Sequence, residues 1–85
     1  MKVFVVTSHL EYGDNLPETW VEGVYETLEK AQKVMEEVFN KQLDLNWNGV
    51  EKEDIDKEIF TKKAIAFNHI TDDYMKIEIW ERELE

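Results

Sequence analysis

Residues 27–43 constrain the fold most. Leu28, Ala31, Val34, Met35, Val38, Phe39, Gln42 and Leu43 recur at three- and four-residue steps, which lines their side chains along one stripe of an α-helix. Glu29, Lys30, Lys33, Glu36, Glu37 and Lys41 fall on the other side. Thr27 stands where an N-cap hydroxyl accepts from a free N–H of the first turn. Glu29 suits the positive end of the helix dipole and Lys41 the negative end. Position 30 is Lys, so no capping box forms. The pattern predicts a helix over 27–43, stopped by Asp44, Asn46, Asn48 and Gly49.

The remaining apolar residues occur in strand-like runs. Residues 2–10 form the first predicted strand. Its Val3–Val6 run is contiguous rather than alternating, the mark of a strand covered on both faces. Residues 11–18 carry Gly13, Asn15 and the only Pro, and predict a loop. Residues 19–26 predict a second strand, with Trp20, Glu22, Val24 and Glu26 on one face and Thr19, Val21, Gly23 and Tyr25 on the other. Val21 and Tyr25 are expected to face the helix, and Gly23 to mark a bulge or a close backbone approach. In residues 51–60, Ile55 and Ile59 lie four apart beside Phe60, which predicts a short second helix. Residues 64–70 and 74–84 predict two further strands around a turn at 71–73. The expected fold is α+β: a four-stranded antiparallel sheet in the order β-β-α-(α)-β-β, with the long helix packed on one face. The first strand should be central, with the last strand beside it.

The chain has 85 residues, no Cys and a formal charge of −10. That length fits one domain, 1–85, burying roughly 60–65% of its unfolded surface, with no disulfide or thiolate site to reinforce it. The apolar run at residues 3–6 is too short for a signal-peptide core or a membrane span. The expectation is a soluble cytoplasmic protein with no membrane contact. Twenty acidic residues against ten basic repel nucleic acid, so direct nucleic-acid binding is not expected.

One helix covers one face of such a sheet. Phe4, Val6, Trp20, Ile70, Tyr74, Trp80 and Leu84 supply candidates for the uncovered face, rimmed by Glu22, Glu26, Glu78 and Arg82. A patch of this kind suits a protein interface, unless residues 44–62 fold over it.

Few motifs carry chemistry. Asp44-Leu45-Asn46-Trp47-Asn48-Gly49 matches the first six positions of a calcium loop, but the twelfth position is Ile55 where a bidentate Glu is required. Ser8 and His9 are adjacent, so on a strand they point to opposite faces and cannot act as nucleophile and base. With three Gly in the chain and no Gly-rich phosphate motif, no cofactor and no enzymatic activity are expected. Acidic residues gather in two places: Glu51, Glu53, Asp54, Asp56 and Glu58; then Asp72, Asp73, Glu78, Glu81, Glu83 and Glu85. Rigidly held carboxylates can occupy a basic groove in place of phosphates, with Trp20, Trp80 or Tyr74 as the apolar anchor.

The opening Lys2-Val3-Phe4-Val5-Val6-Thr7, followed by Val21-Glu22-Gly23-Val24-Tyr25-Glu26-Thr27-Leu28-Glu29-Lys30-Ala31, resembles a layout of small uncharacterised phage and bacterial proteins. In size and acidity the chain also resembles phage-encoded anti-defence proteins, including anti-CRISPR and anti-restriction inhibitors. That resemblance implies a non-enzymatic mobile-element inhibitor that binds a protein partner with a basic surface and fills a groove made for nucleic acid. The alternative expectation is a homodimeric housekeeping domain, with a weak calcium-type loop at 44–49.

Overall fold

The first strand is central, as expected, but its contiguous apolar run does not bring cover on both faces: Phe4 and Val6 are buried on one side, while Val5 on the other is only partly buried. In the computed structural model, which describes residues 1–13, 15–47 and 49–84, β1 (Lys2–Glu11) lies between β2 (Glu18–Tyr25) and β5 (Asp73–Glu83). The helix α1 (Leu28–Trp47) follows β2; a 3-10 turn (Lys52–Asp54), β3 (Ile55–Ile59) and β4 (Lys63–Asn68) precede β5. The architecture is α+β, one helix on a five-stranded antiparallel sheet of order β2-β1-β5-β4-β3. The sheet therefore has one strand more than the four expected.

The additional strand is β3, which replaces the short helix expected at 51–60. A four-residue interval fits a helical face, but it is also twice the strand period, so Ile55 and Ile59 share a strand face equally well. Only Lys52–Asp54 makes a helical turn. The chain after α1 thus extends the sheet at its edge, and residues 55–59 do not fold over the face that α1 leaves uncovered.

The first turn of α1 is held as its sequence suggests: the Lys30 N–H donates to Thr27 Oγ1 at 3.2 Å, satisfying one of the free donors of the helix start. The helix runs one turn past the expected stop at Leu43. Ala31, Met35, Phe39, Leu43 and Trp47 continue a single four-residue row, and Trp47 is buried; its burial outweighs the helix-ending tendency of Asp44 and Asn46. Lys41 consequently lies inside the helix, and the last turn holds no basic residue. Asn46, expected as a calcium-loop ligand, is helical and donates from its amide to the Gln42 carbonyl at 2.9 Å. Asn48, and Glu85 of the C-terminal acidic group, lie outside the described residues.

The stripe packs on alternate residues of the central strands. Phe4, Val6, Ser8 and Leu10 of β1, Met75, Ile77 and Ile79 of β5, and Ala64, Ala66 and Asn68 of β4 are buried on this side. Phe39, Met35, Met75 and Ile77 are among the largest side chains that are fully buried. Asn68 ends β4 and turns the chain: its Oδ1 accepts from the Ile70 N–H at 2.9 Å and the Thr71 N–H at 3.4 Å, an Asx-type turn. Asp72 completes that turn at φ 58°, in the left-handed region that Asp tolerates better than most residues.

A β-bulge reverses part of β2. Val6 pairs with Gly23 but Thr7 pairs with Val21, so Glu22 is the extra residue. Its carboxylate turns to the helix side, where Ser8 Oγ donates to Glu22 Oε1 at 2.7 Å and the Trp20 indole N–H donates to the same oxygen. Trp20 and Tyr25 pack against the core, while Val21 and Val24 are exposed on the opposite face. Tyr25 faces the helix side as expected; Val21 does not, because the bulge shifts the alternation by one residue. The Tyr25 ring lies over Gly23 where a Cβ would stand, shielding the glycine backbone of an edge strand.

Glu22→Ala is expected to cost about 2–3 kcal/mol in chemical denaturation, because it strands the buried Ser8 hydroxyl and the Trp20 donor. Adding Ser8→Ala to that variant should recover part of the loss, and strictly additive costs would show the two groups are uncoupled.

Candidate functional site

α1 lies on one side of the sheet, and the other side is the candidate site. Register assigns its members. One cross-strand row runs Val24–Val5–Trp80, the next Val21–Thr7–Glu78–Lys63, the next Thr19–His9–Lys76–Ile65–Glu58, and the last Glu11–Tyr74–Phe67–Asp56. Arg82 pairs with Val3 beyond the first row. Val21, Val24 and Trp80 are 60%, 58% and 40% exposed, so large apolar groups lie open here without an element of the chain across them. A shallow depression of about 490 Å³ lies among Val5, Thr7, His9, Lys76, Glu78 and Trp80.

The side chains on this face hold one another. The Trp80 indole N–H donates to Thr7 Oγ1 at 2.9 Å, and the Arg82 guanidinium lies 5.3 Å from the Trp80 ring centroid, a cation–π distance. Lys76 Nζ is 3.4 Å from Glu78 Oε1. His9 Nδ1 and Thr19 Oγ1 share a hydrogen bond of 2.7 Å, and the His9 ring meets Tyr74 edge-on at 6.3 Å. Phe67 and His69 form a second edge-on pair at 5.0 Å. Anchored rings give a contact surface that loses little rotamer freedom when covered.

The residues expected to bind a partner do not form one surface. Tyr74 and Trp80 are on the open face. Trp20 is on the helix side, held by Glu22; Phe4 and Val6 are buried there too, Ile70 lies in the β4–β5 turn, and Leu84 follows β5. Part of the acidic set does converge. The His69 N–H donates to the Asp54 carbonyl at 2.8 Å, His69 Nε2 contacts Asp56 Oδ2, and Ile55, Asn68 and Asp73 are register partners. Asp54, Asp56, Asp72 and Asp73 thus gather at one end of the sheet, beside Glu51 and Glu53 of the 3-10 turn segment. Glu58 lies at the far end of β3. Glu78 is paired with Lys76, Glu81 lies 3.8 Å from Lys2 and 3.7 Å from Lys62, and Glu83 is 3.4 Å from the N-terminal amine. The eleven strand residues from Asp73 to Glu83 span roughly 33 Å, so the C-terminal acidic group is divided between the two ends of the molecule.

Sequence reasoning missed Val5, Val21, Ile65 and Phe67 as members of the open face, while Val24 lies away from the helix as its strand alternation predicts. Register carries the signal, which sequence alternation gives for Ile65 and Phe67 but which the bulge conceals for Val21. Among the described residues, no three or more His, Asp or Glu side chains gather as a metal site, and no helix is long and apolar enough to cross a membrane.

A family model described as a domain of unknown function (DUF7336) matches residues 1–64. The chain belongs to the DUF7336 family. Searches against curated proteins and against solved structures gave no match. The DUF7336 match runs from β1 to the second residue of β4 and stops short of β5, although β5 lies in the middle of the sheet.

Tyr12 gives the DUF7336 chain an alkaline signature. Partial burial, then the carboxylates of Glu18 and Asp73, hold its phenol above the ordinary value of 10.0. A raised folded-state value means the fold prefers the neutral phenol. The associated stability is complete below the unfolded value and is lost as pH rises through the folded one. Absorbance at 295 nm should show one tyrosine titrating late, and Tyr12→Phe should remove it.

Proposed function

We propose that this DUF7336 chain is a non-enzymatic interaction protein that works by covering its open sheet face with another folded protein surface. The observation that carries this reading is the uncovered apolar face centred on Trp80, Val5, Val21 and Val24. Exposed apolar surface of this extent costs solubility, and burying it in a contact returns the hydrophobic gain. The side chains across it hold one another by stacking and hydrogen bonds, His9 with Thr19 and Trp80 with Thr7.

The test is site-specific photocrosslinking in the producing cell. A photoreactive phenylalanine analogue at Val21 or Trp80 should capture a protein, while the same group at Lys33 on the outer side of α1 should not. Equal capture from Lys33, or none from the sheet, overturns the reading.

A second reading is favoured by the convergence of Asp54, Asp56, Asp72 and Asp73. It assigns this end to a cytoplasmic partner with a basic surface, such as a nucleic-acid-binding enzyme whose groove the chain would block. Binding would then weaken steeply as salt rises and would disappear on reversing these four charges; a salt-independent complex removes it.

A further inference from the structure

The open face is polarised along the strands. At one end stand Val3, Arg82 and Trp80; at the other, the row Glu11–Tyr74–Phe67–Asp56 sets two aromatic rings between two carboxylates. Midway, Glu78 and Lys76 occupy successive positions on the same face of β5. On a chain of net charge −10, this face carries Lys63, Lys76 and Arg82 against Glu11, Asp56, Glu58 and Glu78, and is close to neutral.

We propose that the occupant of this face is a second copy of the chain, laid on it end for end. The inference rests on reading the face as a contact surface and adds what covers it. A two-fold interface is isologous: whatever residue i meets, the equivalent of that residue meets i. Turned end for end, the Arg82 end of each copy lies over the Glu11–Tyr74–Phe67–Asp56 row of the other, where a guanidinium finds carboxylates and ring faces together. Lys76 and Glu78, related by reversal about the middle of β5, meet their opposites. Laid in the same direction, the acidic rows would stack on each other, and like charges reject that arrangement. Trp80 of one copy comes over Tyr74 of the other, so aromatic rings oppose each other toward both ends of β5.

The area suffices. Four strands at about 4.8 Å spacing and nine residues at about 3.3 Å rise give a face of roughly 600 Å². Two copies remove roughly 1,200 Å², the lower bound of stable specific interfaces. Aligned sheets packed this way cross at about 30°. The dimer is expected to dissociate in the micromolar range, and its outer surface is the acidic one.

Sedimentation velocity across the micromolar range tests this with three proteins: the wild type, Arg82→Glu, and Glu11→Lys combined with Asp56→Lys. The wild type should dimerise. Each variant alone places like charges together at both ends of the interface and should weaken the dimer at least about tenfold. Mixed, the two variants restore opposite charges at both ends and should form a one-to-one heterodimer. Concentration-dependent amide shifts of the wild type, which require no variant to fold, should fall on β1 and β5 and spare the outer side of α1. A wild type that stays monomeric overturns the assignment, as does a mixture that stays monomeric or a set of shifts confined to the β2 or β3 edge. Photocrosslinks from Trp80 to a different protein, with a monomeric wild type, overturn the second copy and leave the contact face standing. Absence of any crosslink together with a monomeric wild type removes both.

Discussion

A chain ending at Ala64, which keeps every residue of the family match, is expected to be unfolded. Far-UV circular dichroism should show no cooperative transition, and the amide proton spectrum should collapse into the random-coil range. The reason is the position of β5 between β1 and β4. Truncation removes all of β5 and four of the six residues of β4. Ala66, Asn68, Met75, Ile77 and Ile79 leave the core, β1 loses its ladder on one side, and β3 keeps only the Ile59–Ala64 pairing. What remains is too small to bury an adequate core. A cooperative transition from residues 1–64 would mean that those residues form a sheet of their own without β5.

The second large effect is at the centre of the helix stripe. Phe39→Ala is expected to cost about 3–5 kcal/mol, the range for deleting a buried aromatic side chain. Phe39 is fully buried among the helix stripe and the central strands. At about 0.05–0.15 kcal/mol per residue, a domain of 85 residues has roughly 4–13 kcal/mol in total, so the substitution removes a large share. Urea denaturation should show a lowered midpoint at unchanged slope, the sign of lost stability without a changed mechanism. Phe39→Leu should cost far less, because much of the apolar volume is retained. A loss below about 1 kcal/mol for the Ala variant would place Phe39 outside the core.

The elements that were legible in the amino-acid sequence are those whose pattern admits one period. The α1 stripe spans enough turns that only a helical repeat fits it. The contiguous apolar run of β1 fits a central strand, and the alternation of Met75, Ile77 and Ile79 fits a two-faced one. Ile55 and Ile59 were ambiguous because four residues satisfy both periods, and β3 was lost to that ambiguity. The bulge at Glu22 exchanged Trp20 and Val21, since a single extra residue inverts the facing of what precedes it. Comparing one helix with the width of a sheet shows that an open face must exist. Its membership depends on register between distant strands, which no local window contains. The acidic residues follow the same logic: Asp73 and Glu83 belong to one run of sequence, yet an extended strand carries them to opposite ends of the molecule.

Pairing β1 with β5 also sets a timetable for synthesis. Lys2 is a register partner of Glu83, and a ribosome adding about 5–20 residues per second needs roughly 4–16 s to supply one after the other. Throughout that interval the nascent first strand presents Val3–Val6 with no partner on its β5 side, a segment that holdase chaperones or neighbouring nascent chains can capture. Cellular yield of this protein should therefore track elongation speed and chaperone supply more closely than the equilibrium strength of the finished fold.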